Sequence, residues 1–223
     1  MAQTRGLFDD EADETLGGGR GRQRLGEHAW VLRGFALPDI EALLAGVKAV
    51  LLAAPLRQMH TPGGLPMSVS TSNCGRLGWV SDRAGYRYVA RDPLTGRDWP
   101  ALPAAFERLA REAAAAAGFD GFVPDACLIN RYMPGARMSL HQDRNERDMG
   151  APIVSVSLGM PAIFLFGGHA RADRATRIPL LHGDVAVWGG VDRLRFHGIL
   201  PLKAVPHPRV GERRFNLTFR RAG

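Results

Sequence analysis

Cysteine is nearly absent. The two in 223 residues, Cys74 and Cys127, are too few for a disulfide scaffold, and neither has a partner at Cys-x-x-Cys metal spacing. Both read as reduced thiols, which points to the cytoplasm. Lysine is almost missing as well: Lys48 and Lys203 stand alone, leaving 27 of the 29 basic residues as arginine. That compositional bias tempers what a formal net charge of +7 would otherwise say, namely affinity for polyanions such as nucleic acids. No apolar run approaches the roughly 20 residues of a membrane span, and residues 1–26 hold no apolar core followed by a cleavage site. No membrane partner and no export are therefore expected. No repeat or heptad pattern is visible, and nothing demands more than a monomer.

What is present suits one domain. A chain of 223 residues, 45% hydrophobic, can bury a sizeable core, and a second complete domain would be cramped. Residues 1–26 run from an acidic cluster through Gly17-Gly18-Gly19 to Arg20, Arg22 and Arg24, with little to bury, and read as a disordered tail. The domain proper is expected over 27–223. Ile40, Leu43, Leu44, Val47, Val50 and Leu51 recur at helical spacing between Pro38 and Ala54. A second helix fits Pro103 to Ala117, with Pro103 in its first turn and Gly118 as the stop. Residues 57–100 are rich in glycine, serine, threonine and aromatics without a helical period, which predicts hairpins and loops that offer a candidate substrate-contact surface. From Ala126 onward, short apolar stretches such as Ile153–Leu158, Ile163–Phe166, Asp184–Trp188 and Arg214–Arg220 alternate with glycine and proline breaks. Evenly spaced short strands predict a mainly β fold, a sandwich or barrel with flanking helices.

Two His-x-Asp triplets stand out, His141-Gln142-Asp143 and His182-Gly183-Asp184, although seven histidines among 223 residues make a single triplet weak evidence. Residues two apart on a strand share a face, so either triplet can offer an imidazole and a carboxylate to one metal ion. Two histidines and one carboxylate with open positions suit a non-haem iron(II) oxygenase. The second triplet carries a glycine and leads into Val185-Ala186-Val187-Trp188, which is turn-into-strand chemistry and reads as structural. That leaves His141 and Asp143, with a third ligand from His197, His207 or another distant histidine. In the last strand Arg214, Asn216, Thr218 and Arg220 alternate with Phe215, Leu217 and Phe219. The pattern alone favours a solvent-exposed polar face. If that face lines an interior instead, two buried guanidinium groups need anionic partners, and a dicarboxylate would supply them. Asn130 and Tyr132 share another strand face, and Trp79 by itself reads as core filler.

These stretches resemble the AlkB family of alkylated-DNA repair dioxygenases. The resemblance is carried by Pro124–Tyr132, Ser139–Asp143, Pro152–Leu158, His182–Gly190 and Arg214–Arg220, and upstream by Thr61–Gly64 and Asn73–Gly75 through to Trp79. It implies a double-stranded β-helix, or jelly roll, with an N-terminal helix and a nucleotide-recognition lid. It implies iron(II) held by His141, Asp143 and His197, with 2-oxoglutarate and O2 as cosubstrates. Arg214 would pair with the far carboxylate of 2-oxoglutarate, and Arg220, Asn130, Tyr132 and Asn216 would support it. Trp79 would stack the damaged base near His141, with Tyr86 assisting and Thr71, Asn145 and Arg171 also around the substrate. The family's best-known members carry aspartate at the position of Asn145 and methionine at that of Thr71, so base preference is expected to differ here. The implied activity is oxidative demethylation of 1-methyladenine and 3-methylcytosine in single-stranded DNA, with RNA as a second candidate. 2-Oxoglutarate would be decarboxylated to succinate and the methyl group lost as formaldehyde. The alternative substrates are a protein side chain or a small molecule at the same iron site, since fold does not fix function. A metal-free nucleic-acid-binding module is the reading outside catalysis.

Overall fold

The computed structural model describes residues 21–223. The strands and helices in chain order are β1 (Arg22–Arg24), β2 (Ala29–Leu32), α1 (Ile40–Ala53), β3 (Arg57–His60), β4 (Pro66–Gly75), β5 (Gly78–Asp82), β6 (Gly85–Val89), α2 (Ala104–Ala116), β7 (Ala126–Tyr132), β8 (Met138–His141), β9 (Ile153–Gly159), β10 (Ala162–Phe166), β11 (Thr176–Leu180), β12 (Val185–Trp188), β13 (His197–Ile199) and β14 (Arg214–Arg220). They build an eight-stranded sheet in the order β1-β2-β12-β9-β14-β7-β4-β3, a four-stranded sheet β11-β10-β13-β8, and the separate hairpin β5-β6. Of the eight strands from β7 onward, β7, β9, β12 and β14 lie in the large sheet and β8, β10, β11 and β13 form the smaller one, which is the expected jelly roll.

Two apolar layers hold it. On the outer side of the large sheet, Leu43, Val47 and Val50 of α1 and Phe106, Leu109 and Ala113 of α2 pack on Ile129, Val154, Val156, Leu217 and Phe219. Gly46 allows the helices to approach, because a Cβ there would lie 2.7 Å from the Phe106 ring. Between the sheets, Ile153, Phe164, Phe166, Ile178, Trp188 and Ile199 form a second cluster.

Several expectations shift. Residues 1–20 of the expected tail lie outside the described residues, but Arg22–Arg24, also assigned to it, pair antiparallel with β2. The guanidinium groups of Arg22 and Arg24 lie 4.3 and 5.6 Å over the Trp30 ring, an anchor that apolar content does not register. The 57–100 segment divides: β3 and β4 extend the large sheet, and only the β5-β6 hairpin stands apart. The second helix begins at Ala104, with Pro103 as its cap, and ends before Gly118, whose φ of +91° terminates it. The first begins as a 3-10 turn at Leu37–Asp39, where Pro38 is tolerated.

The polar face of β14 is a larger correction. All seven residues from Arg214 to Arg220 are buried, not only the apolar three. Phe215, Leu217 and Phe219 point to the helices, so Arg214, Asn216, Thr218 and Arg220 point between the sheets, where the smaller sheet covers them.

Candidate metal centre

β8 and β13 are neighbours with His141 and His197 in direct register. Their rings lie 4.4 Å apart, tilted by 54°. Asp143, two residues beyond the end of β8, turns its carboxylate to both, with Oδ1 3.6 Å from His141 Nε2 and Oδ2 3.8 Å from His197 Nε2. One ligand atom from each of the three lies within 4.8 Å of the others, and this is the sole such group among the described residues. Two ligand bonds of roughly 2.0–2.2 Å span up to about 4.4 Å, so the 3.6 and 3.8 Å separations of Asp143 from the imidazoles suit a shared ion.

The protonation pattern suits a metal. His141 Nδ1 sits 2.9 Å from the Ser139 carbonyl and His197 Nδ1 3.0 Å from the Arg195 carbonyl. A carbonyl accepts, so each Nδ1 carries the proton and each Nε2 presents its lone pair toward Asp143. Burial, and then the neighbouring His141, pulls the His197 pKa down to about 4 and keeps the ring neutral at physiological pH. Burial alone would raise the Asp143 pKa, but the Arg220 guanidinium, followed by His197 and His141, holds it well below the usual carboxylate range. Arg220 Nε donates to Asp143 Oδ2 at 3.0 Å.

The other triplet is saturated structurally. Asp184 accepts from the backbone N–H of Gly34 at 2.8 Å and of Leu181 at 2.9 Å, and from Arg33 Nη1 at 2.6 Å. His182 Nδ1 accepts from Gly159 N–H, and Gly183 supplies the turn with a φ of +89°.

Further along the inner face of β14, Arg214 is 1% exposed. Its Nη2 donates to Ser157 Oγ at 2.9 Å, while Nε and Nη1 are buried without a partner among the described residues. The Tyr132 ring lies 5.0 Å from the guanidinium. Burial lowers the Arg214 pKa, and Tyr132 counters part of that effect. An unpaired buried guanidinium is costly, so a positive charge left with two unpartnered nitrogens matches an anionic ligand such as a carboxylate. Thr71, Asn130 and Asn216 align in register across β4, β7 and β14. Asn216 Nδ2 donates to Ser155 Oγ at 2.7 Å, whereas Asn130 Oδ1 and Thr71 Oγ1 have no partner among the described residues.

The remaining expected residues surround this centre. Trp79 on β5 stacks against Tyr86 on β6, with centroids 5.6 Å apart and planes 13° apart. Its backbone is clamped by Asn73, which accepts from Trp79 N–H at 3.0 Å and donates to its carbonyl at 2.9 Å. Trp79 is only partly buried, packed against the cluster of Met59, Val80 and Trp99. Asn145 is exposed, two residues past Asp143. Arg171, also exposed, donates to the Leu140 carbonyl at 2.6 Å beside His141. Arg220, expected to support a cosubstrate, lies against the carboxylates of Asp143 and Glu146. Sequence reasoning missed Glu146, Arg193 and Tyr88, which form a buried polar network behind Asp143. No motif marks them, because each gains its meaning only from the approach of a distant segment.

Comparison with known proteins agrees with this geometry. A profile of the 2OG-Fe(II) oxygenase superfamily matches residues 29–220. The alpha-ketoglutarate-dependent dioxygenase AlkB of Salmonella typhimurium is 56% identical over 216 residues, covering 97% of this chain and 97% of the relative. The protein of the same name from Escherichia coli is 55% identical, covering 91% and 94%. The solved structure of OsALKBH1 superimposes with a TM-score of 0.78 at 26% identity, over 90% of this chain and 99% of that one.

Proposed function

The chain belongs to the AlkB group of the 2OG-Fe(II) oxygenase superfamily, and from that premise we propose that it oxidatively demethylates 1-methyladenine and 3-methylcytosine in single-stranded nucleic acid, DNA first. The observation that carries the reading is the pairing of the His141-Asp143-His197 cluster with an inward-facing Arg214 that has two buried N–H groups unpaired. Iron(II), 2-oxoglutarate and O2 together supply the oxidising chemistry, in which 2-oxoglutarate becomes succinate and carbon dioxide and the hydroxylated methyl group leaves as formaldehyde. His141 and His197, each with Nδ1 donating to a backbone carbonyl, would give their Nε2 atoms to the iron, and Asp143 would give a carboxylate kept ionised by Arg220. Arg214 would fix the far carboxylate of 2-oxoglutarate, with Asn130, Tyr132 and Asn216 lining the same face. The three protein ligands leave the other positions for cosubstrate and O2.

Trp79 would offer its ring to a base that is flipped or already single-stranded, with Tyr86 behind it and Arg171 and Thr71 at the walls. Stacking contributes about 1–3 kcal/mol per base. Trp79→Ala is therefore expected to weaken binding of a 1-methyladenine oligonucleotide by about 10- to 100-fold while leaving 2-oxoglutarate binding unchanged, which fluorescence anisotropy and calorimetry would read. Asn145 presents a neutral amide to a base made cationic by methylation. A carboxylate there would add about 1 kcal/mol of attraction at the surface. Asn145→Asp should lower the KM for the 1-methyladenine oligonucleotide about fivefold, with less gain at high salt; an unchanged or higher KM would remove Asn145 from the site.

We also propose that the protein acts as a cytoplasmic monomer; among the described residues no helix is long and apolar enough to cross a membrane. The test of the reading is formaldehyde release from methylated oligonucleotides, and none from any alkylated base would overturn it.

A further inference from the structure

A chain of buried polar groups fastens the β5-β6 hairpin to the metal-site carboxylate. Tyr88 on β6 lies directly across from Trp79 in the hairpin register. Its hydroxyl donates to Glu146 Oε1 at 2.7 Å, and burial holds its own pKa well above the ordinary phenol value. The Glu146 side chain is 2% exposed; its Oε2 accepts from Arg193 Nη2 at 3.1 Å, and Oε1 lies 3.1 Å from Arg220 Nε. Arg220 donates from Nε to Asp143 Oδ2 at 3.0 Å and from Nη2 to the same oxygen at 2.5 Å, so it is hydrogen-bonded to Asp143 and ion-paired with Glu146. Arg193 Nη1 donates to the Asp143 carbonyl at 2.7 Å. Two guanidinium groups thus span Glu146 and Asp143, one onto the Asp143 side chain and the other onto its backbone.

Arg220 stands between the two carboxylates, and that makes the arrangement responsive. A shift of the Glu146 carboxylate moves the guanidinium paired with it, and with it the Asp143 carboxylate that two Arg220 N–H groups hold and that faces His141 and His197. Tyr88 is the neutral member of the network and comes from the hairpin, so the hairpin's position sets where Glu146 rests. Charge balance among two arginines and two carboxylates does not require the phenol.

We propose that Tyr88 and Glu146 are positioning residues that couple seating of a base at Trp79 to the orientation of Asp143, so that base binding and metal binding strengthen one another. The proposal rests on Trp79 being the base platform. A base stacked on Trp79 restrains the hairpin; Tyr88 then holds Glu146, and Arg220 is fixed on Asp143 Oδ2. Linkage makes the effect reciprocal, so the oligonucleotide raises metal affinity by the same factor as the metal raises affinity for the oligonucleotide.

The test is titration of Mn(II) into the whole protein without oxygen, in the presence of 2-oxoglutarate, with and without a 1-methyladenine oligonucleotide. The wild-type protein is compared with Tyr88→Phe, which keeps the ring and removes only the hydroxyl. We expect the oligonucleotide to lower the Mn(II) Kd of the wild type about fivefold or more, the low end of ordinary coupling, and to leave that of Tyr88→Phe unchanged. A hydroxyl that serves packing alone would lower the thermal midpoint of the variant and leave the fivefold response intact, which would overturn the proposal. So would a wild type that releases formaldehyde from the same oligonucleotide yet shows no change in Mn(II) Kd. A wild type that releases no formaldehyde from any methylated oligonucleotide would overturn the demethylase reading itself, and the coupling with it.

Discussion

Asp143→Ala is expected to reduce succinate and formaldehyde formation by more than about 100-fold. Changes outside the ligand shell of metal sites already cost about 10- to 100-fold, and this one removes a ligand. The carboxylate faces three groups, the two imidazoles on one side and Arg220 on the other. Its loss leaves a guanidinium whose side chain is 8% exposed leaning on Glu146 alone. Breaking a buried pair in this way destabilises by about 3–5 kcal/mol, so inactivity in the alanine variant has two causes. Asp143→Asn separates them, since it keeps the shape and Arg220 contact geometry but removes the charge that favours a divalent ion. Circular dichroism should show Asp143→Asn folded, and Mn(II) titration should show it unable to hold metal at wild-type affinity. Normal turnover in either variant would remove Asp143 from the site.

Arg214→Met is expected to raise the KM for 2-oxoglutarate by about 10- to 100-fold, because a hydrogen bond to a charged group contributes about 1.5–3 kcal/mol. The kcat at saturating 2-oxoglutarate should change far less, since the guanidinium holds the end of the molecule remote from the reaction. A second readout follows from the two unpaired N–H groups of Arg214. Replacing a poorly compensated buried charge by apolar packing is often neutral or stabilising. The cosubstrate-free variant should therefore melt no lower than the wild type, while 2-oxoglutarate raises the wild-type midpoint by mass action and the variant's much less. A variant that melts lower and still responds fully to 2-oxoglutarate would show that Arg214 serves the fold alone.

How much of this was legible in the sequence depended on whether the signal was local. Helix periodicity at Ile40–Leu51 and the strand Arg214–Arg220 were readable because side-chain spacing is set by the backbone. The structural role of His182-Gly183-Asp184 was readable from turn chemistry. The polar face of β14 was misjudged on pattern, because alternation reports two faces and says nothing of what covers each; the smaller sheet does so here. His197 was not separable from His207 by spacing, since its pairing with His141 is a contact between β13 and β8 across more than fifty residues of chain. The family resemblance, not the pattern, selected it. Arg22–Arg24 looked like tail because its anchor, Trp30, lies on the next strand. Glu146, Arg193 and Tyr88 were invisible for the same reason, as a buried charge network has no sequence period.

The central claim is that the His-Asp-His cluster and Arg214 form one oxidising site whose substrate is a methylated base. The most direct measurement loads the protein with iron(II) and 2-oxoglutarate without oxygen, then admits oxygen with and without a 1-methyladenine oligonucleotide and follows succinate and repaired base. The account expects the oligonucleotide to stimulate succinate sharply, with repaired base formed in step. Succinate that forms equally without the oligonucleotide, with no base repaired, would keep the metal site and contradict the assigned substrate.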